Sequence, residues 1–246
     1  DHCLVGSEMC IRDSYDTDVP VPKTFGYCDD ETVIGTPFFV MDHVVGNIYW
    51  ELLLPGCDPN QRREIYLSMN DTIAKLHNVD FNKVNLADYG KHENYMGRQI
   101  HRWTKQYKDS ETQMIPEINE LIEWLPKNIP SDQETSIVHG DFRLDNMIFD
   151  PITHEVKAIL DWELSTLGNP IADFTYHMMS WRLPAGAKGL GMMGSDLKSL
   201  NIPSESEYAE LYYKKTGREK IDNWDFYMAY NTVSYTHLRA HETMVD

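Results

Sequence analysis

The spacing of apolar positions changes several times along the 246-residue chain, and each change marks an element. In VPVPKTFGYCDDETVIGTPFFVMDHVVG the short apolar runs Thr24 to Cys28 and Pro37 to Met41 are separated by Asp29, Asp30 and Gly35, which predicts two strands of a hairpin. After Gly46 the period lengthens. Ile65, Met69, Ile73 and Leu76 stand three or four apart, so Gln61 to His77 reads as an amphipathic helix opened near Asp58 and Pro59. A second helix carries Ile100, Trp103 and Tyr107, and a third carries Ile118, Leu121, Ile122 and Leu125 before Pro126 closes it.

The next stretch, SIVHGDFRLDNMIFD, a turn at Pro151 to Thr153 and then EVKAILDWE, reads as strand, polar loop, short strand, turn and strand. Asn169 as cap and Pro170 at the first helical position start a helix to about Arg182. Ser204 to Lys215 and Asn223 to Tyr230 are the last helical candidates. The two ends, residues 1–14 and 232–246, have no sustained period and resemble translated adapter sequence, so they are expected to be foreign tails.

Composition narrows the class. With 41% apolar and 25% charged residues the chain is an ordinary globular one. A net charge of −17 argues against a nucleic-acid partner, whose phosphates would be repelled. No run of about 18 apolar residues appears, so no membrane partner and a soluble, intracellular protein are expected. The four cysteines, Cys3, Cys10, Cys28 and Cys57, form no C-x-x-C pair and are read as free thiols.

The chemistry concentrates in one loop, His139-Gly140-Asp141-Phe142-Arg143-Leu144-Asp145-Asn146, and in Asp161, which ends the apolar run from Val156 to Leu160. Phosphoryl transfer to a hydroxyl needs a carboxylate within reach of the attacking group and hard oxygen donors for Mg²⁺ on the nucleotide phosphates. Asp141, Asn146 and Asp161 fit those three roles.

His139-Gly140-Asp141 with Asn146, followed by Leu160-Asp161-Trp162-Glu163, resembles the catalytic core of the aminoglycoside phosphotransferase and choline kinase family. The segments PVPK, VIGT, FFVM, HGDFRLDN, LDWELSTLGNP and NWDFYMAY look most similar to the kinase-like domain of some acyl-CoA dehydrogenase family proteins. The resemblance implies an α+β, protein-kinase-like fold: residues 15–45 as a remnant of the small lobe and hinge, and residues 46–231 as a mainly helical catalytic lobe. It implies ATP and Mg²⁺ as cofactors, Asp141 as catalytic base, and Asn146 and Asp161 as Mg²⁺ ligands. The backbone of Met41, Asp42, His43 and Val44 becomes the adenine-binding hinge. The implied partner is a small-molecule hydroxyl acceptor, with a hydroxyacyl-CoA suggested by the acyl-CoA dehydrogenase connection, and a fused dehydrogenase domain in the parent protein.

In that family a glycine-rich loop, a strand lysine and its helix glutamate precede the Pro20 region, where this sequence has only the suspect 14 residues. Lys23 lies past the expected position and does not inherit the lysine's role. The chain alone is therefore expected to be a fragment that binds nucleotide poorly and is inactive by itself.

Other readings stand beside these. His139 is read as bracing the loop, not moving protons; Arg143 and Asp145 face either solvent or substrate; Asp173 is either a helix-dipole partner or a support for the loop. Gly189 to Gly194 matches G-x-G-x-x-G but follows a helix, so it is read as a mobile loop near the acceptor. The remaining histidines, His43, His77, His92, His101, His154 and His177, lack metal-ligand spacing, and Met178, Met179, Met192 and Met193 are read as core packing. Two alternative functions are a non-catalytic pseudokinase module beside a fused enzyme and a metal-dependent phosphohydrolase, the latter needing a histidine cluster the sequence does not offer.

Overall fold

Strands β1 (Thr24–Cys28) and β2 (Phe38–Met41) pair antiparallel where the hairpin is expected, with Cys28 opposite Phe38. Their connection is more than a turn. Asp30 accepts a hydrogen bond from the Thr32 N–H and opens one helical turn, α1 (Glu31–Ile34), which Gly35 ends at φ 92°. The computed structural model describes residues 17–91, 93–109, 111, 114–131, 134–185, 191–220 and 222–242. The expected tail 1–14, Cys3, Cys10, His92, Gly189 and Leu190 lie outside them.

Helix α2 (Pro59–His77) begins with the Asp58 and Gln61 side chains each taking a hydrogen bond from the other's backbone N–H. It buries Ile65, Met69, Ile73 and Leu76, the positions that define its period, and also Tyr66, Asn70 and His77. Helices α3 (Tyr95–Asp109) and α4 (Pro116–Trp124) follow, and Pro126 sits in a single 3-10 turn, Leu125–Lys127, that closes α4.

Two short sheets carry the central loop. Strand β3 (Ser136–Val138) pairs antiparallel with β6 (Thr166–Gly168), and β4 (Met147–Phe149) pairs with β5 (Val156–Ile159). Strand β6 is not foreseen from the sequence, because three residues ending in glycine carry no readable alternation. The ribbon β1–β2 is stitched to the second sheet at both ends. Ile159 N–H donates to Pro20 O at 2.9 Å, and Asn47 and Phe149 exchange two backbone bonds of 2.8 Å.

Helix α5 (Pro170–Arg182) is buried along nearly its whole length, starting from the Asn169 cap, and packs against α7 (Trp224–Glu242). Helix α6 (Glu205–Thr216) packs on α2. Aromatic rings fill the space between them: Tyr66, Phe174, Tyr208 and Tyr212 are fully buried, and Phe174 stacks on Tyr212 at 3.8 Å. The expectation that regular structure stops near Tyr230 is corrected here. No glycine or proline interrupts 224–242, Val233 is buried, and Asn231 donates to Ala172 O at 3.0 Å and Thr175 Oγ1 at 2.8 Å, so the helix runs on to Glu242.

Among the described residues no helix is long and apolar enough to cross a membrane.

Candidate active site

The loop between β3 and β4 is fixed from behind before it offers anything to a ligand. Asp173, in the first turn of α5, is buried and accepts the His139 N–H at Oδ2 (2.8 Å) and the Gly140 N–H at Oδ1 (2.9 Å). Its Oδ2 also meets His77 Nε2 at 3.1 Å, and His77 Nδ1 lies 2.7 Å from Tyr212 Oη. Burial alone would raise the Asp173 carboxyl, but the hydrogen bonds from His77 and from the loop outweigh it and hold it below the usual range. Burial likewise keeps the His77 imidazole below its ordinary value, so the pair is a neutral histidine beside an ionised aspartate. Of the two readings of Asp173, the loop support is the observed one.

His139 braces the same loop, as expected. Its Nε2 donates to Leu160 O (2.9 Å), which leaves Nδ1 to accept the Asp141 N–H (3.2 Å). Gly140 takes φ 83°, and a Cβ there would lie 2.7 Å from Leu164 O, so the turn needs a glycine twice over.

Asp141 stands at the front of this frame. Its Oδ2 accepts Asn146 Nδ2 at 3.1 Å and its Oδ1 accepts the Tyr176 hydroxyl at 2.7 Å. The Asn146 amide nitrogen also donates to the Asp141 carbonyl at 3.0 Å, which commits the nitrogen to Asp141 and leaves the carboxamide oxygen as the group for a cation. Leu160 N–H donates to Asn146 O at 2.8 Å, so the open end of the β4–β5 hairpin sets Asp161 beside Asn146. Asp161 is exposed and takes a left-handed backbone conformation at φ 61° and ψ 59°.

This donor set suits a cation carried in by a nucleotide. Among the described residues no three His, Cys, Asp or Glu side chains cluster as a self-sufficient metal cage. Mg²⁺ needs only one or two protein oxygens when phosphates and water complete its shell, and Asn146 and Asp161 offer two. The same observation leaves the phosphohydrolase alternative without ligands among those residues.

The hinge expectation meets a detail the sequence does not show. The Asp42 N–H already donates to Lys23 O at 2.8 Å, so of the segment's N–H groups this one is not open to an adenine. Met41, Asp42 and His43 are exposed.

Two hollows meet at Tyr176. One has Trp50, Leu52, Leu144, Met179 and Leu183 on its walls. Arg143 and Asp145 also line it, paired through two bonds of 3.1 and 2.7 Å, which settles their direction as toward this cleft. Burial opposes the Arg143 charge, yet Asp141 and Asp145 outweigh it and raise the guanidinium above its ordinary value. The other hollow is more polar, with Tyr95, Gln99, Arg102, Glu163 and Tyr230 around Gly140 and Asp173.

The four described residues of the glycine-rich stretch, Gly191 to Gly194, are held in place and do not form the mobile loop expected. Met192 N–H donates to Ser180 O (2.8 Å), Met193 N–H to Leu183 O (2.9 Å), and Gly191 packs against Leu183, so these residues are anchored to the end of α5. Met178, Met179 and Met192 are buried as expected, whereas Met193 is exposed. His77 and Tyr176 are the residues that sequence reasoning passes over. Tyr176 follows Asp173 by three and shares its helix face, a signal available only once Asp173 is placed.

Residues 12–210 match the phosphotransferase enzyme family. Mouse acyl-CoA dehydrogenase family member 10 is 46% identical over 214 residues, which are 87% of this chain and 20% of that protein; the chain thus spans about a fifth of that relative's length. The crystal structure of a Ralstonia eutropha JMP134 protein ascribed to the aminoglycoside phosphotransferases superposes with a TM-score of 0.91 at 46% identity, covering 96% of this chain and 72% of that one. The aminoglycoside phosphotransferase APH(3'')-Id of Streptomyces rimosus, solved with ADP and streptomycin, shares the protein-kinase-like fold at 17% identity and a TM-score of 0.64, over 95% of this chain and 82% of that one. With its α+β architecture and its loop in place, the chain belongs to the phosphotransferase enzyme family.

Proposed function

We propose that the chain carries the phosphoryl-transfer machinery of an ATP- and Mg²⁺-dependent kinase that acts on a small-molecule hydroxyl. What supports this most is the single carboxylate of Asp141, held by Asn146 on one oxygen and by Tyr176 on the other, at the front of a loop locked by buried Asp173. Asp141 orients the acceptor hydroxyl and takes its proton as the oxygen reaches the γ-phosphorus. Asn146 and Asp161 would hold the Mg²⁺, which would supply positive charge against the charge developing on the phosphates. The hinge segment Met41 to Val44 presents its backbone groups to the adenine. His139 and Asp173 keep Asp141 from drifting, and that matters because positioning supplies most of the catalysis in phosphoryl transfer.

For the acceptor we favour a hydroxylated acyl-CoA, in a parent protein that joins this domain to an acyl-CoA dehydrogenase. The relative's name and the small share of its length that this chain spans support that reading. The apolar cleft beside Tyr176 suits a hydrocarbon portion. A non-catalytic module would have no need to keep Asp141, Asn146 and Asp161 together.

The test is phosphate transfer from Mg²⁺-ATP to a panel of hydroxyacyl-CoA esters, using this chain and the longest reading frame that contains it. Asp141→Asn should lower turnover by roughly 10²-fold or more with nucleotide affinity retained. Undiminished turnover would remove Asp141 from its role and the kinase reading with it.

A further inference from the structure

Both oxygens of Asp141 are occupied, and the two partners differ in kind. Asn146 is part of the loop and approaches Oδ2 with an amide N–H. Tyr176 comes from α5 and approaches Oδ1 with an O–H, the same group an alcohol acceptor brings. A hydroxyl that meets a carboxylate oxygen does so as the donor, whether it belongs to a phenol or to an alcohol. The ring is largely buried, and it lines both hollows, whose walls also carry the neighbours of Asp141 in the loop, Arg143 in one and Gly140 in the other.

The geometry points to Tyr176 as a stand-in for the acceptor: with no acceptor bound, its hydroxyl fills the seat on Asp141 Oδ1 that the acceptor hydroxyl takes, and so keeps water off the base. The inference rests on Asp141 being the base. It goes beyond that role by assigning a second residue the task of choosing between two nucleophiles.

The chemistry makes the choice necessary. In transfer, the acceptor oxygen bonds to the γ-phosphorus, the bond from that phosphorus to the β–γ bridging oxygen breaks, the hydroxyl proton passes to Asp141, and ADP leaves. Water in the same seat would react in the same way and give ADP and inorganic phosphate. Water is abundant and has no body with which to fill a cleft. Displacing the phenol from a 2.7 Å bond costs it more than it gains. An acceptor with a body recovers that cost through contacts in the hollows, which is binding energy from remote parts spent at the reacting centre.

The experiment measures phosphate release from Mg²⁺-ATP with no acceptor present, in the longest reading frame that contains this chain. Tyr176→Phe keeps the ring and removes the hydroxyl. It should raise acceptor-free release about tenfold or more over the unaltered protein, since a hydrogen bond to a charged group is worth about that factor or more. Release that is unchanged or lower overturns the inference, and so does a parallel fall in release and transfer, which would mark Tyr176 as a mere brace. Tyr176→Met serves the same purpose if the phenylalanine variant does not fold, judged by thermal unfolding and Mg²⁺-ADP affinity. The gain should vanish when Asp141→Asn is added, and a gain that survives overturns the inference too. The two readings fail separately. Transfer indifferent to Asp141→Asn sinks the kinase reading, whereas transfer that needs Asp141 but release indifferent to Tyr176 sinks only the stand-in.

Discussion

His77 Nε2 lies 3.1 Å from Asp173 Oδ2, and neither side chain reaches solvent. The contact joins α2 to α5 across the core, and the same carboxylate holds the two N–H groups that begin the loop bearing Asp141. A buried anion with every partner in place is tolerable; one that loses a partner is not. Replacing His77 with Leu should lower the unfolding free energy by about 1–3 kcal/mol, the usual loss when a buried group is left short of a hydrogen-bond partner. Denaturant unfolding of the two proteins measures it, and a loss below about 1 kcal/mol would show that Asp173 is satisfied without His77.

Acid should weaken the fold well above the range in which carboxylates titrate. His177 is buried, 2.9 Å from Tyr208 Oη, and burial pushes its imidazole down to about 4 from 6.5. The unfolded chain therefore takes up a proton near pH 6.5 that the folded chain refuses until about pH 4. Stability is whole above pH 6.5 and falls as pH drops through that window, by about 3 kcal/mol for this group. His77, also depressed, acts in the same direction. Asp173 adds its loss only below the ordinary aspartate value of 3.8. Denaturant midpoints at pH 7, 6, 5 and 4 should decline steadily, and His177→Gln, which does not titrate, should flatten part of the decline.

The parts of this protein that could be read in the sequence are those governed by local rules. Asp58 and Pro59 start α2 and Asn169 and Pro170 start α5 because capping is settled within a few residues, and β4 and β5 show as apolar runs around a turn. Asp141, Asn146 and Asp161 are visible because their spacing and flanking strands are unusual together. What escapes is long-range. Strand β6 exists because β3 offers it an edge, His77 matters because Asp173 lies 96 positions away, and Tyr176 matters because α5 folds back onto the loop. The length of α7 escapes for a related reason: Asn231 bonds to α5 and Val233 is buried, which no local pattern announces.

Gly140 should resist substitution more than other loop positions. An alanine would hold φ near 83° against its preference, and its Cβ would meet Leu164 O at 2.7 Å and Leu164 Cβ at 2.9 Å. Backbone strain of this kind costs about 1–3 kcal/mol, and relief requires moving the residue immediately before Asp141. Gly140→Ala should therefore lower the thermal midpoint and also reduce any Asp141-dependent turnover more than the stability loss explains. Gly217 is the comparison: φ is 71° there but a Cβ meets nothing within 4 Å, so Gly217→Ala should show the strain alone.

The β1–β2 ribbon should open far more readily than the rest of the structure. Its strands pair only with each other among the described residues, and Phe25, Val33, Ile34 and Val40 are half or more exposed, so little apolar burial opposes opening. Strands β3 and β6 are shorter still, yet Ile137 and Leu167 are fully buried and β3 packs against α2 and α5, so their opening requires the core to part. Amide hydrogen exchange separates the two cases. The amides of Tyr27 and Val40 should exchange through local opening at a small fraction of the global unfolding free energy, while those of Ile137 and Leu167 should approach the global value. Equal protection in both sheets would mean that the stitches at Pro20 and Asn47 carry the ribbon into the cooperative core, and the division into a loose ribbon and a firm lobe would have to be given up.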